Sequence, residues 1–438
     1  MSRRSAVILT VFGRAALYPV DEWVRHGQYR PMEIDFFYDI VCPYAYLGSS
    51  QIEAIAERHG ATINWHPVLL GGIFRSIGGQ QVPMNAMSAP RARLNALDLQ
   101  RFADLWGVPF SFADGHPRRS VEAMRLLTGL AGRERIRMTH RLFRAYWVDG
   151  ENIADRHVLD RIAGELGVSP EIIDSNSARE GLFSTTSKAV EHGAFGVPAF
   201  VIDGQLWWGQ DRLNFVEDTL GEWSVPSRIH SGPKPAKIRF FHDFSSPFSY
   251  LAATQIQRVA IQYDVEIQWR PILLGALFRE IGTPDVPLFE MSAAKRDYVG
   301  RDLKDWARWW QEDFSFPSQF PIRTVAALRL ALAEPSLTDA LYRAAWSEDR
   351  AIDDPAVLRE IVDAAGLDPE AVLARIQTDE IKTALRENTA LAKNVGACGV
   401  PTFQLLYDDP ARADMLIWGQ DRIHMLEHAL CGWHPACG

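Results

Sequence analysis

His66-Pro-Val-Leu-Leu-Gly-Gly-Ile-Phe-Arg-Ser-Ile-Gly78 recurs as Arg270-Pro-Ile-Leu-Leu-Gly-Ala-Leu-Phe-Arg-Glu-Ile-Gly282, with eight of thirteen positions identical at an offset of 204. The same offset carries Met87-Ser-Ala89 onto Met291-Ser-Ala293 and Phe110-Ser-Phe112 onto Phe314-Ser-Phe316. It is 203 at Gly196-Val-Pro198 against Gly399-Val-Pro401, and 210 at Trp208-Gly-Gln-Asp-Arg212 against Trp418-Gly-Gln-Asp-Arg422. Such drifts are loop insertions and deletions. A period this long means duplicated domains, because solenoid repeats run roughly 20–50 residues. The chain is one unit written twice.

The Pro-, Ser- and Gly-bearing stretch Ser224–Ala236 reads as the linker. We divide the chain into an extension (1–31), repeat 1 (32–221), a linker (222–236), repeat 2 (237–430) and a tail (431–438). Each repeat opens with a strand, Glu33–Tyr38 or Lys237–His242, rich in aromatic residues. A turn with Pro43 or Pro247 and an amphipathic helix such as Tyr46–His59 follow. A second strand comes next, Thr62–His66 or Glu266–Arg270. Mainly helical sequence, including Arg119–Leu130 and Val158–Leu166, then separates it from Gly-Val-Pro. A strand (Ala199–Ile202), its hairpin partner (Leu206–Trp208) and a helix from near Asp211 close the unit. Neither β-rich end buries a core alone, so the two should share one sheet under a helical cover.

Composition agrees with a globular chain. Of its 438 residues 47% are hydrophobic and 23% charged, and the net charge of −9 points to neither nucleic acid nor an anionic membrane. The apolar stretch Ala6–Gly13 stops at Arg14, short of the roughly 20 residues that span a bilayer. Arg3 and Arg4 precede it, but no small-residue cleavage site follows, so the expected setting is cytoplasmic. Four cysteines, Cys42, Cys398, Cys431 and Cys437, form no CxxC pair and no zinc-type cluster. Cys431 and Cys437 either close a small loop or remain free thiols.

Asp243-Phe-Ser-Ser-Pro-Phe-Ser-Tyr-Leu251 and Asp39-Ile-Val-Cys-Pro-Tyr-Ala-Tyr-Leu47 follow the first strands. With Leu-Gly-x-x-Phe-Arg, Gly-Val-Pro and Trp-Gly-Gln-Asp-Arg, they make four motifs in order, twice. In these motifs the chain resembles the kappa-class glutathione transferases and 2-hydroxychromene-2-carboxylate isomerases of the DsbA-like group. The resemblance implies an α/β chain of two tandem thioredoxin-like domains, each with a helical insertion. It implies glutathione as cofactor and a small-molecule substrate, an aromatic or unsaturated carboxylate isomerised or conjugated by reversible thiol addition. Relatives are commonly homodimers, so the two repeats could pair within the chain as a pseudo-dimer, or whole chains could pair.

By the same resemblance, Ser246 donates a hydrogen bond to the glutathione sulfur; a plain N-cap serine is the other reading. Cys42 takes that place in repeat 1, with Ala45 where a resolving thiol would stand. It is either a helix-start thiol with a depressed pKa or a buried core residue. Pro198 and Pro401 are the expected cis prolines, and the backbones of Val197 and Val400 would pair with the cysteinyl unit. Gln210, Asp211, Gln420 and Asp421 would receive the γ-glutamyl end, or simply cap a helix. Arg212 and Arg422 read as structural ion-pair partners. Arg75, Arg279 and Lys295 are candidates for a substrate or glutathione carboxylate, or solvated surface charge. Arg119 and Arg323 stand where the family often has Asn, a departure at the substrate side. Cys398 reads as an apolar packing position. Trp306, Trp309 and Trp310 read as core, interface or the lining of an aromatic pocket. Two rival functions remain: a monothiol oxidoreductase using Cys42, and a non-catalytic binding module.

Overall fold

The computed structural model describes residues 31–78, 87–224, 226–410 and 412–435. The extension read at 1–31 falls almost wholly outside the described residues, and so does Cys437. Among the described residues eight strands form two four-stranded sheets. The first holds β1 (Glu33–Tyr38), β2 (Thr62–Pro67), β3 (Ala199–Ile202) and β4 (Gln205–Trp208). The second holds β5 (Lys237–His242), β6 (Glu266–Pro271), β7 (Thr402–Leu406) and β8 (Met415–Trp418). The spatial orders are β2-β1-β3-β4 and β6-β5-β7-β8. In each sheet the first pair is parallel and the other two pairs are antiparallel.

A parallel pair needs a long crossover, and the helices Pro43–His59 and Pro247–Tyr263 supply it. The central strands are covered on both faces, which is why they read as aromatic runs and not as strict alternation. Phe36 stacks on Phe200 at 5.0 Å and meets Trp65 edge-on at 5.0 Å. Phe240 repeats this with Phe403 at 5.1 Å and Trp269 at 5.0 Å. Each of the four phenylalanines is fully buried and stabilises its sheet by roughly 1.5–3 kcal/mol.

The helical cover pins the loop after each first strand. Trp147 Nε1 donates to the Ile40 carbonyl and Trp346 Nε1 to that of Phe244, both at 2.8 Å. Several boundaries differ from the sequence reading by a residue or two, and two helices differ more. The first helix begins at Pro43, not Tyr46, since proline suits the first helical turn. The helix expected over Arg119–Leu130 is confined to Val121–Thr128.

The two repeats pack against each other. Helices Ala89–Leu105 and Ala293–Trp310 each cross onto the opposite repeat. Phe215 of repeat 1 meets Trp306 at 4.8 Å and Trp309 at 5.4 Å. Of the readings of the tryptophan trio, Trp306 and Trp309 therefore take the interface role.

Candidate functional site

Each first strand ends in a buried aspartate that organises the corner behind it. Asp243 accepts from the Leu274 amide at 2.8 Å, the Ser245 amide at 3.0 Å and Thr324 Oγ1 at 2.7 Å. Asp39 accepts from the Leu70 amide at 2.9 Å, Ser120 Oγ at 3.1 Å and the Val41 amide at 3.2 Å. Burial drives the Asp39 carboxyl up to about 6 against these donors, and burial also raises Asp243. The aspartates tie the nucleophile turn to the Leu-Gly helix, a role not assigned from the sequence although both residues open the quoted motif. Thr324→Val should cost about 1–3 kcal/mol, because a buried acceptor loses its donor. Thr324→Ser should be close to neutral, since Ser120 does this work in repeat 1; urea denaturation of both variants checks the pair.

The turn then delivers Cys42 or Ser246 to a helix start. Ser246 is buried, accepts from the Ser249 amide at 3.2 Å and donates weakly to the Val400 carbonyl at 3.4 Å. It caps the helix, as the plain reading has it, and its hydroxyl faces the Val-Pro loop. The Val197–Pro198 and Val400–Pro401 bonds are cis, as expected. Cys42 Sγ donates to the Val197 carbonyl at 3.0 Å and is only 4% exposed. Burial pushes its thiol up to about 12, and the nearby Asp39 charge adds to this. Amides of Ala45 and Tyr44 pull the other way and do not prevail. The expectation of a depressed Cys42 pKa is therefore corrected: desolvation exceeds the helix-start effect.

The Trp-Gly-Gln-Asp-Arg segments meet at the boundary between repeats. Each last helix is preceded by a single tight turn, Gln210–Arg212 or Gln420–Arg422. Arg212 binds Asp302 in a bidentate pair, at 2.7 and 3.0 Å, and reaches Asp421 at 3.0 Å. Arg422 binds Asp98 at 2.9 Å through each of two nitrogens and reaches Asp211 at 2.8 Å. The arginines are thus the ion-pair partners they were read to be, but across the repeats. Burial raises the Asp98 and Asp302 carboxyls; for Asp211 burial is outweighed by Arg212 and Arg422, which hold it low. Two guanidiniums face four carboxylates, which leaves a surplus of negative charge. Asp98 and Asp302 went unnoticed in the sequence, although the 204 offset relates them.

The remaining candidates separate. Arg75 and Arg279 are exposed, and Arg279 donates to the Gly275 carbonyl at 3.2 Å and lies 4.0 Å from Asp285. Lys295 does not join them: its ammonium lies 5.5 Å from the Trp208 ring centre, on the opposite repeat. Cys398 is 3% exposed, in keeping with a packing role. Gln210 and Gln420 are buried beside the aspartates, and Gln210 Nε2 has no acceptor.

The DSBA-like thioredoxin domain family matches residues 33–221 and again 237–431. The chain belongs to this family. Among curated relatives, 2-hydroxychromene-2-carboxylate isomerase of Pseudomonas putida is 28% identical, over 43% of this chain and 95% of its own length. Human glutathione S-transferase kappa 1 is 26% identical, over 45% of this chain and 92% of its own. A solved 2-hydroxychromene-2-carboxylate isomerase is 26% identical, over 43% of this chain and 95% of that one, with a TM-score of 0.39. Each of the two curated relatives is matched over nearly its whole length by less than half of this chain, and with the two family matches this DSBA-like protein carries the domain in tandem. Among the described residues no helix is long and apolar enough to cross a membrane.

Proposed function

We propose that the chain is a cytoplasmic, glutathione-dependent isomerase or transferase working through repeat 2 on an aromatic or unsaturated carboxylate. The observation that carries this reading is Ser246, a hydroxyl at a helix start against the carbonyl of a cis Val-Pro loop. The curated relatives named above support the reaction class. Free thiols at Cys42, Cys398 and Cys431 suit a reducing compartment. Glutathione, when bound, supplies a thiolate that adds reversibly to an activated double bond.

The chain's own residues fit that ligand. Ser246 exchanges its weak bond to Val400 for one to the sulfur, while helix-start amides favour negative charge there. The Val400 backbone suits strand-like pairing with the cysteinyl unit. The surplus carboxylate charge around Asp421 and Asp211 suits an ammonium group. Phe316 packs edge-on against Trp346 at 5.8 Å and meets Phe320 at 5.0 Å, and Phe320 meets Phe289 at 6.3 Å. Phe289 and Phe316 are exposed, an apolar rest for a flat substrate ring.

Ser246→Ala should raise the pKa of bound glutathione and slow thiol-dependent turnover about ten- to a hundredfold, the value of one charge-assisted hydrogen bond. Ultraviolet thiolate titration beside a ring-isomerisation assay tests this. Unchanged titration and turnover would reject Ser246 as the sulfur's partner.

A further inference from the structure

The two Asp-Arg pairs, one from each repeat, close into a ring of four side chains at the boundary. Arg212 Nη1 reaches Asp211 Oδ2 at 3.2 Å and Asp421 Oδ2 at 3.0 Å. Arg422 reaches the same two oxygens, at 2.8 Å through Nη2 and 3.1 Å through Nη1. Each of these oxygens is thus held by both guanidiniums, and each guanidinium by both carboxylates. Asp302 and Asp98 take further nitrogens of the two arginines and hold them in place.

The second oxygen of each ring aspartate faces a glycine. A Cβ on Gly209 would stand 2.4 Å from Asp211 Oδ1, and one on Gly419 2.5 Å from Asp421 Oδ1. Glycine at these positions, with φ of +103° and +111°, therefore leaves both oxygens uncovered. Before Asp211, Gln210 is 2% exposed and its Nε2 has no acceptor among the described residues. An open carboxylate oxygen beside an unfilled buried donor fits an α-amino acid end, ammonium on Asp211 and carboxylate on Gln210. Repeat 1 keeps this half of a site although burial leaves its Cys42 thiol neutral. It can hold the ligand without reacting with it.

Filling one site must be felt at the other. An ammonium on Asp421 Oδ1 draws that carboxylate away from the arginines, which then hold Asp211 more closely. It also sets a positive charge across the ring from the place of the second ammonium, in poorly solvated surroundings. Both effects weaken the second site.

We propose that repeat 1 is a regulatory glutathione site, coupled through this ring to the Ser246 site so that occupation of either weakens the other. The proposal rests on the glutathione reading and gives a role to the repeat whose thiol is silent. Linkage makes the coupling reciprocal, at about tenfold in affinity. When glutathione is abundant, repeat 1 fills and the Ser246 site releases its glutathione or conjugate sooner, a step that often limits turnover.

Calorimetry of the full chain should show two equivalents of glutathione bound in two steps. Ultraviolet thiolate absorbance then follows glutathione at the Ser246 site, the repeat whose hydroxyl holds a thiolate. Protein loaded with less than one equivalent is diluted into plain buffer, or into buffer with excess S-methylglutathione, which keeps the γ-glutamyl end and has no thiol. Uncoupled sites release at one rate in both, since the probe only blocks rebinding. The expected result is release about tenfold faster with the probe. Arg212→Lys with Arg422→Lys keeps both charges but replaces the forks by point charges, and should bring the two rates together. Equal or slower release in the wild type, or a single equivalent bound, would overturn the coupling and leave the glutathione reading standing. Undiminished acceleration in the double variant would overturn the ring as its route. No binding heat would overturn both readings. The wild-type comparison decides the coupling even where the double variant fails to fold.

Discussion

Alkylation of the folded chain near pH 8 should modify Cys431 well before Cys42 or Cys398. Cys42 is 4% exposed, donates a hydrogen bond to the Val197 carbonyl, and has a pKa pushed by burial up to about 12. Burial likewise pushes Cys398 up to about 12, whereas Cys431 is half-buried. Because the thiolate is the reactive form, a rise from the ordinary value lowers the rate at Cys42 on the order of a thousandfold. The sign is clear: a raised thiol pKa keeps the group neutral through the physiological range, and its labelling climbs only as pH approaches that value. Peptide mass spectrometry after timed alkylation at several pH values reads this directly. Fast labelling of Cys42 with an inflection below about 8.5 would favour the rival monothiol oxidoreductase. Cys42→Ser should leave turnover at the Ser246 site intact.

Removing Arg212 should be the most damaging single change at the boundary between repeats. Its guanidinium holds Asp302 and reaches Asp421 and Asp211, and it lies over the Trp306 ring at 5.4 Å. Arg212→Met keeps much of the side chain's bulk but leaves buried carboxylates facing one another without their cation. Breaking one side of such a pair costs about 3–5 kcal/mol. Chemical denaturation should show that loss, and the double variant Arg212→Met with Asp302→Leu should recover part of it. A loss below about 1 kcal/mol would mean that the cluster behaves as an exposed ion pair does.

The sequence made the sheets legible because their signals are local. The strands Glu33–Tyr38 and Lys237–His242 lie where aromatic and β-branched runs between turn residues put them. The motifs also marked the corner that carries Ser246, since helix starts leave a signature in Ser and Pro. What stayed hidden depends on the other repeat. Asp211 and Asp421 read locally as caps or ammonium receivers, yet one oxygen of each is already bonded to both Arg212 and Arg422. Lys295 read as a member of its own repeat and lies against Trp208 of the other. Cys42 shows a second limit. Its helix-start position was legible, but the sign of its pKa shift depends on burial, which no motif reports. The 204 offset, followed past the motifs, pairs Arg91 with Lys295 and Asp98 with Asp302. That was the available signal for the interface.

Crystals of the full chain soaked with glutathione test most directly whether repeat 2 is the working site. The expected result is glutathione in repeat 2, its sulfur within hydrogen-bonding distance of Ser246 Oγ and its cysteinyl backbone along Val400, with the Cys42 thiol unmodified. A vacant repeat 2, or glutathione joined to Cys42 by a disulfide, would contradict it.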